Sequence, residues 1–257
     1  MRIVVKIGSS TLTRENGKIN LRLLEKYTRV FSDLTNAGHE VIIVSSGAQV
    51  VGAAKLNLSK KPSETSKRQA VAAVGQCELM SIYDKLFLDY GCRVGQILLT
   101  RDVMDNATRK ENVVNTFEEL LSYGCIPIVN ENDSVEVEEI KFGDNDTLSA
   151  IVATCINADV LILMTDTEGL YDANPKTNPN AKLIPEVNEI TDKIRNLAGD
   201  TSTDKGTGGM ITKIKAADIA TKEGITTFVV SGADPAVVYD IIDGKDCGTK
   251  FTAKSNK

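Results

Sequence analysis

The fold is decided by a polar turn that leads directly into an apolar helix, at residues 142–150, which read FGDNDTLSA. Glycine tolerates unusual dihedral angles, and Asp and Asn bond their own backbone in turns, so the first five residues predict a tight turn. Leu148, Ile151, Val152 and Cys155 then recur at helical spacing and predict a buried helix. Acidic and amide side chains therefore lie at a helix N-terminus, where backbone N–H groups favour an anion. A plain turn with an Asx cap would explain the same residues, so function must be argued from the rest of the chain.

The composition indicates a soluble cytoplasmic protein. The chain has 257 residues, of which 42% are hydrophobic and 25% are charged, with a net charge of −5. This charge gives no basic field for nucleic acid, and no apolar run is long enough to cross a membrane. The N-terminus enters a strand pattern directly, so we expect no signal peptide. The five cysteines form no C-x-x-C pair, which predicts reduced core residues.

Short apolar runs alternate with helical patterns along the chain. Strands are predicted at residues 3–7, 41–44, 94–99, 126–129 and 160–164, with closing strands at 227–230 and 248–251. Helices are predicted at residues 21–37, 48–56, 66–90 and 108–123, after the central turn, and after residue 209. An exposed hairpin is expected at 135–140, and loops at 173–185 and 199–209. The pattern predicts a three-layer α/β/α sandwich with a mostly parallel central sheet, whose apolar strands are covered on both faces.

Polar residues gather where the predicted strands end. The clusters are Lys6-Ile7-Gly8-Ser9-Ser10, Ser45-Ser46-Gly47, Asn130-Glu131-Asn132-Asp133 and Thr165-Asp166. In parallel α/β sheets the ligand crevice lies beyond the carboxyl ends of the strands, so four such clusters predict a ligand site there. The glycine-rich run at 206–209 adds a loop whose backbone can approach phosphates, and Lys213 follows one turn into the next helix.

Several other chemistries are excluded by missing motifs. The chain contains no G-x-x-x-x-G-K-[ST] sequence and no protein kinase signature. The run at 206–211 lacks the third glycine of a dinucleotide-binding loop and does not follow a strand. His39 is the only histidine, which argues against histidine metal clusters and against a Ser-His-Asp triad.

The ordered set of motifs resembles the amino acid kinase family. The set consists of KIGSS at 6–10, SSGA at 45–48, AAVGQ at 72–76, GQILLT at 95–100, NEND at 130–133, FGDND at 142–146, LMTD at 163–166 and GTGGM at 206–210. Within the family, the chain is most similar to the branch that phosphorylates the γ-carboxylate of L-glutamate. The resemblance runs over nearly the whole chain. We therefore expect one amino acid kinase domain at 1–252, a polar tail at 253–257, and no PUA domain of the kind that longer bacterial forms carry.

The resemblance implies a reaction and assigns roles to residues. ATP and L-glutamate would give ADP and L-glutamyl 5-phosphate, the first step of proline biosynthesis. Lys6 and Lys213 would flank the transferring phosphoryl group, and Asp146 would hold the two ammonium groups in place. Glutamate would be bound by Ser46, Gly47, Asp133 and Asn145, and backbone donors would come from Gly8, Ser9 and Gly47. ATP would be bound by Lys6, Gly8, Ser9, Thr165, Asp166, Thr207, Gly208, Gly209, Met210, Ile211, Thr212 and Lys213.

The resemblance also implies cofactors, partners and rival functions. Mg²⁺ would be held largely by ATP phosphates and water, and a direct protein ligand to the metal stays an open question. Proline would act as a feedback inhibitor, the product would pass to glutamyl phosphate reductase, and the protein would form a homo-oligomer. Two alternatives stay open. One is a sister kinase of the same family, acting on acetylglutamate, uridylate or aspartate. The other is a non-catalytic nucleotide-binding or storage protein of this fold.

Overall fold

The computed structural model describes residues 1–60, 62–100, 105–135, 144–175, 177–197 and 209–254. The strands are β1 Arg2–Ile7, β2 Glu40–Ser45, β3 Arg93–Leu99, β4 Cys125–Glu131, β5 Val160–Thr165, β6 Glu186–Val187, β7 Thr226–Ser231 and β8 Thr249–Phe251. The helices are α1 Ser9–Leu12, α2 Leu21–Asn36, α3 Ala48–Lys55, α4 Thr65–Leu88, α5 Ala107–Ser122, α6 Asn145–Cys155, α7 Asp192–Leu197, α8 Met210–Lys222 and α9 Val237–Ile242.

The chain divides into two compact units. Unit 1 comprises Met1–Lys6 and Gly143–Lys257, and unit 2 comprises Ile7–Phe142. Unit 1 is therefore built from two separate stretches of sequence, and its N-terminal piece supplies nearly all of β1. The single domain predicted over residues 1–252 stays a prediction.

Unit 1 is built on strands around β5. Strand β5 pairs in parallel with β1 on one side, where Lys6 lies opposite Leu163, and with β7 on the other. Every residue of β5 is buried, as its apolar run from Val160 to Met164 predicts for a central parallel strand. Strand β8 pairs antiparallel with β7 and parallel with β6. The carboxyl ends of β1 and β5 thus lie side by side, at Lys6 and Thr165.

In the described part of unit 2, three strands pair in parallel, with β4 in the middle. Strand β4 pairs with β2 on one side and with β3 on the other. The expectation that every strand is covered on both faces is wrong for β3, in which Arg93 and Gln96 are exposed. Within this unit β3 pairs only with β4 among the described residues, and an outer strand can face solvent.

Two glycines allow α3 and α4 to pack with their backbones in contact. A Cβ atom added to Gly75 on α4 would lie 1.8 Å from the carbonyl oxygen of Ala48, and one added to Gly52 on α3 would lie 1.9 Å from that of Val71. No side chain fits at either position without moving a backbone. Helix α3 begins after Gly47, whose φ of 109° lies in the left-handed region that glycine tolerates.

Most predicted elements are present, with ends shifted by one or two residues. Within the described residues, the structure adds four short elements that were not predicted, namely α1, α7, α9 and β6. The predicted hairpin at 135–140 and most of the loop at 199–209 lie outside the described residues. The expectation of core cysteines is wrong for Cys77, which is exposed, whereas Cys92 is buried. Among the described helices, none combines the length and apolarity needed to cross a membrane.

We predict that Gly75→Ala destabilises the protein by about 1–3 kcal/mol, because the added methyl group would force α3 and α4 apart. Helix propensity acts in the opposite direction and would favour alanine by about 1 kcal/mol. Urea unfolding measures the balance, and Gly52→Ala should shift the free energy of unfolding in the same direction. A stabilisation of about 1 kcal/mol would show that the backbones do not constrain this position.

Candidate active site

Three charged side chains from separate elements of unit 1 meet in its interior. The Lys6 ammonium, at the carboxyl end of β1, lies 2.7 Å from Oδ1 of Asp146. The Lys213 ammonium, in the first turn of α8, donates a hydrogen bond of 3.1 Å to Oδ2 of the same carboxylate. The family resemblance grouped these three residues, and in the structure both lysines contact the Asp146 carboxylate. We call them the charge cluster.

The central turn holds Asp146 in the first turn of α6. Asp144 is the N-cap of this helix, and its Oδ1 accepts a 2.7 Å hydrogen bond from the backbone N–H of Thr147. The predicted Asx cap is therefore present at Asp144, and the next acidic residue, Asp146, carries a buried charge. A carboxylate in the first turn also interacts favourably with the positive end of the helix.

Thr212 connects Asp146 to the glycine that precedes α8. Its hydroxyl donates to Oδ2 of Asp146 at 2.6 Å and lies 2.8 Å from the carbonyl oxygen of Gly209. The resemblance placed Thr212 among the ATP-binding residues, whereas in this structure its hydroxyl contacts the Asp146 carboxylate. Any displacement of the start of α8 would therefore act on the position of this carboxylate.

The charge cluster is almost completely shielded from water. The exposed fraction is 0% for Asp146, 6% for Lys6 and 5% for Lys213. Burial raises the pKa of Asp146, but the charges of Lys6 and Lys213 outweigh burial and lower this pKa to about 2. Burial lowers the pKa of Lys6, although Asp146 acts against that shift. With two ammonium groups and one carboxylate, the cluster carries a net charge of +1 and can attract an anion.

A pocket in the same unit reaches the charge cluster at Lys213. Five of the predicted ATP-binding residues line it, namely Thr165, Asp166, Gly209, Met210 and Lys213. Thr165 and Asp166 come from the end of β5, and Gly209 and Met210 come from the start of α8. The pocket therefore lies where the rule for parallel sheets predicts a ligand.

Part of the pocket lining was not predicted. The additional residues are Thr167, Gly169, Leu170, Tyr171, Ala173, Asn174, Pro175 and Leu197. Most of them follow β5, and Leu197 ends α7, an element too short to show a helical period. Burial raises the pKa of the Tyr171 hydroxyl, and Glu168 acts in the same direction.

The remaining predicted ATP-binding residues differ in position. Ile211 is 54% exposed and is absent from the described lining of the pocket. Gly8 and Ser9 lie in unit 2, where Gly8 is the N-cap of α1 and Ser9 is its first residue. Thr207 and Gly208 lie outside the described residues.

Three of the four predicted glutamate-binding residues belong to unit 2. They are Ser46, Gly47 and Asp133, and the fourth, Asn145, is the first residue of α6 in unit 1. The backbone N–H of Ser46 donates to the carbonyl oxygen of Ile7 at 3.0 Å, which fixes the chain just before α3. Asp133 accepts a 3.2 Å hydrogen bond from the side chain of Gln49, which belongs to none of the predicted site residues. A glutamine in the first turn of a helix gives no signal of such a contact.

The comparisons with known proteins identify the class. The family model described as "Amino acid kinase family" matches residues 1–231, and the chain belongs to that family. At the level of single proteins, it is 53% identical to a glutamate 5-kinase of Clostridium perfringens, over 100% of this chain and 97% of the relative. It is 50% identical to a glutamate 5-kinase of Listeria innocua, over 100% of this chain and 94% of the relative.

Solved structures of the same fold are more distant in sequence. A UMP kinase from Bacillus anthracis has a TM-score of 0.65 at 15% identity, covering 99% of this chain and 96% of the other. A carbamate kinase from Giardia lamblia bound to AMP-PNP has a TM-score of 0.69 at 15% identity, covering 98% of each chain. At these identities the likeness shows the fold alone. Together with the family match and the parallel strand pairing in each unit, it confirms the predicted α/β/α class.

We predict that Asp146 makes stability depend on pH in the acid range. Its folded pKa of about 2 lies below the ordinary value of 3.8, so its contribution is complete above 3.8 and is lost as the pH falls through about 2. The contribution corresponds to about 2 kcal/mol. In Asp146→Asn, the decrease in the free energy of unfolding between about pH 4 and pH 2 should be smaller by this amount.

Urea unfolding at a series of pH values measures this slope. Asp240→Asn is the control, because Asp240 pairs with Lys245 at the surface, where ion pairs contribute little. Its slope should match that of the unmodified protein. Equal slopes for Asp146→Asn and the unmodified protein would contradict a lowered pKa at Asp146.

Proposed function

We propose that this protein transfers the γ-phosphoryl group of ATP to the γ-carboxylate of L-glutamate, giving ADP and L-glutamyl 5-phosphate. The observation that carries the proposal is that Lys213 belongs both to the charge cluster and to the lining of the pocket. An anion bound in this pocket can therefore lie against a buried cluster of net positive charge. The similarity to glutamate 5-kinases over the whole chain selects glutamate as the acceptor.

The proposed mechanism depends on charge stabilisation rather than on a general base. The γ-carboxylate of glutamate is ionised at neutral pH and can attack phosphorus without losing a proton. Phosphoryl transfer then requires positioning, together with neutralisation of charge on the transferring group. Lys6 and Lys213 supply that neutralisation in a site shielded from water, where it is strongest.

Asp146 has a positioning role in this mechanism. Two buried ammonium groups would repel each other, and each contacts a different oxygen of the Asp146 carboxylate. The carboxylate thus fixes the separation of the two lysines and leaves the cluster one positive charge for the phosphoryl group. Thr212 holds the same carboxylate through its hydroxyl.

The pocket supports binding of a nucleotide. Its lining combines the apolar side chains of Leu170, Met210 and Leu197 with the polar groups of Thr165 and Asp166. The phosphates would lie toward Lys213 and the N-terminus of α8, a helix of 13 residues whose first backbone N–H groups favour anions. The purine and ribose would then contact the remaining part of the pocket.

The residues of the pocket fit a magnesium ion that arrives with ATP. Asp166 is the only carboxylate among the described residues of the lining, and the described part of the chain has no cluster of three potential metal ligands. Mg²⁺ commonly binds through substrate phosphates, waters and one or two carboxylates. Asp166 would hold the ion from the protein side. When bound, the ion neutralises phosphate charge.

The acceptor requires an anionic partner for its α-ammonium group. We assign this role to Asp133, which follows β4 in unit 2 and is half-buried. An acetylated α-nitrogen carries no charge, so an acetylglutamate kinase would not need a carboxylate here.

Feedback inhibition by proline, transfer of product to glutamyl phosphate reductase, self-association and a cytoplasmic location are further proposals that come from the family resemblance.

The proposal is tested by following ADP release with a panel of acceptors. L-Glutamate should support turnover, with the acyl phosphate product trapped by hydroxylamine as a hydroxamate. N-Acetylglutamate, uridylate and aspartate should support at most a small fraction of that rate. A preference for one of these acceptors would assign the protein to a sister kinase, and nucleotide binding without turnover would assign it to a binding protein.

Lys213→Ala should lower kcat by roughly 10²–10³-fold, the usual effect of removing one group that stabilises transition-state charge. The KM for glutamate should change much less. Lys215→Ala is the matched control, because Lys215 lies on the same helix but is exposed, and its kcat should remain normal. A near-normal kcat for Lys213→Ala in steady-state kinetics would contradict the role of the charge cluster.

A further inference from the structure

Asp133, the carboxylate that we assign to the α-ammonium group of glutamate, accepts a hydrogen bond from a side chain of α3. The amide nitrogen Nε2 of Gln49 donates a hydrogen bond of 3.2 Å to Oδ1 of Asp133. Gln49 is the second residue of α3, and both side chains are half-buried. The contact joins positions far apart in the sequence, within unit 2.

We propose that Gln49 is a positioning and specificity residue, which orients the Asp133 carboxylate toward the α-ammonium group of the acceptor. This inference rests on the proposed function, in which Asp133 binds that ammonium group. A hydrogen bond to one carboxylate oxygen fixes the rotation of the side chain about its last bond. Through this contact, α3 contributes to the direction in which the carboxylate presents its charge.

The chemistry of the amide suits this role. A glutamine donor is neutral, so it orients Asp133 while leaving its negative charge available to a cation. Lysine or arginine at the same position would form an ion pair with Asp133 and compete with the ammonium group of the acceptor. An aliphatic side chain would leave the carboxylate without this constraint. The position therefore requires a donor that carries no charge.

The helix that carries Gln49 is itself fixed in place. Gly47 allows the chain to turn into α3, and Gly52 and Gly75 bring the backbones of α3 and α4 into contact. Next to Gly75, the side chain of Gln76 accepts a 2.9 Å hydrogen bond from Nδ2 of Asn130 at the end of β4.

Each of the two helices thus contributes one glutamine that contacts the segment at the end of β4. Gln49 of α3 contacts Asp133, and Gln76 of α4 contacts Asn130. Because the helix backbones are in contact, the two glutamines are fixed relative to each other. Together α3 and α4 form a frame that sets the position of Asp133.

The test is Gln49→Met, which keeps the length of the side chain and removes the donor. The KM for glutamate should rise roughly ten-fold, the size expected for losing one hydrogen bond to a charged group. The KM for ATP and the kcat should stay within about two-fold. Glutarate, which lacks the α-ammonium group, should show much less change in kcat/KM, so the preference for glutamate over glutarate narrows.

Two further variants separate orientation from a structural effect. Gln49→Lys should raise the KM for glutamate more than Gln49→Met does, because the introduced ammonium group would form an ion pair with the Asp133 carboxylate. In an Asp133→Ala background, Gln49→Met should cause no further rise, since the group that it orients is gone. Lys55→Met is the matched control on α3, because Lys55 pairs with Glu78 at the surface. This variant should leave kcat/KM unchanged for both glutamate and glutarate.

The outcomes distinguish this inference from the proposed function. If the unmodified protein does not phosphorylate glutamate, the proposed function fails and this role fails with it. If glutamate is a good substrate and Gln49→Met leaves the glutamate-to-glutarate preference unchanged, only the role of Gln49 is overturned. An equal decrease in kcat/KM for glutamate and glutarate would likewise show that Gln49 serves packing alone. The same conclusion would follow if Gln49→Met raised the KM for glutamate equally with and without Asp133→Ala.

Discussion

The buried ion pairs of Asp146 are the constraint on which the candidate active site depends. One carboxylate, fully shielded from water, contacts two ammonium groups that would otherwise repel each other in a medium of low polarity. Burying three charges is costly, and proteins rarely do so for stability alone. Under the proposed function, the arrangement is a positive charge that is held in place before the substrate binds. Preorganised charge of this kind does not have to reorient during the reaction.

The elements of unit 1 serve to bring these three groups together. Strand β1 ends at Lys6 beside the fully buried β5, the Asx-capped start of α6 presents Asp146, and the first turn of α8 presents Lys213. The same two ends, of β5 and of α8, also form the pocket. The pocket and the charge cluster are thus positioned by shared backbone, and a shift in α8 would affect both.

The sequence predicted this frame well where its signals were long or chemically specific. The strand β5 and the capped turn at Asp144 could be predicted, because buried strands are apolar and helix caps favour Asp. The exposed face of β3 was not predicted, since sequence does not reveal which strand lies at the outside. Helix α7 was missed because its six residues are too few to show a period. The contact of Gln49 with Asp133 depends on tertiary packing, so the local sequence around either residue does not predict it.

The division of the chain has a consequence for the order in which the protein can fold during synthesis. Unit 1 takes its first strand from the N-terminus and the rest from residues after Phe142, whereas unit 2 is continuous. When β1 leaves the ribosome, its partner β5 has not yet been made, and all of unit 2 is synthesised in between. Contacts of such long range are slow to form, because a large loop must close first. Lys6 therefore meets Asp146 late, and unit 1 can be completed only after unit 2 has been synthesised.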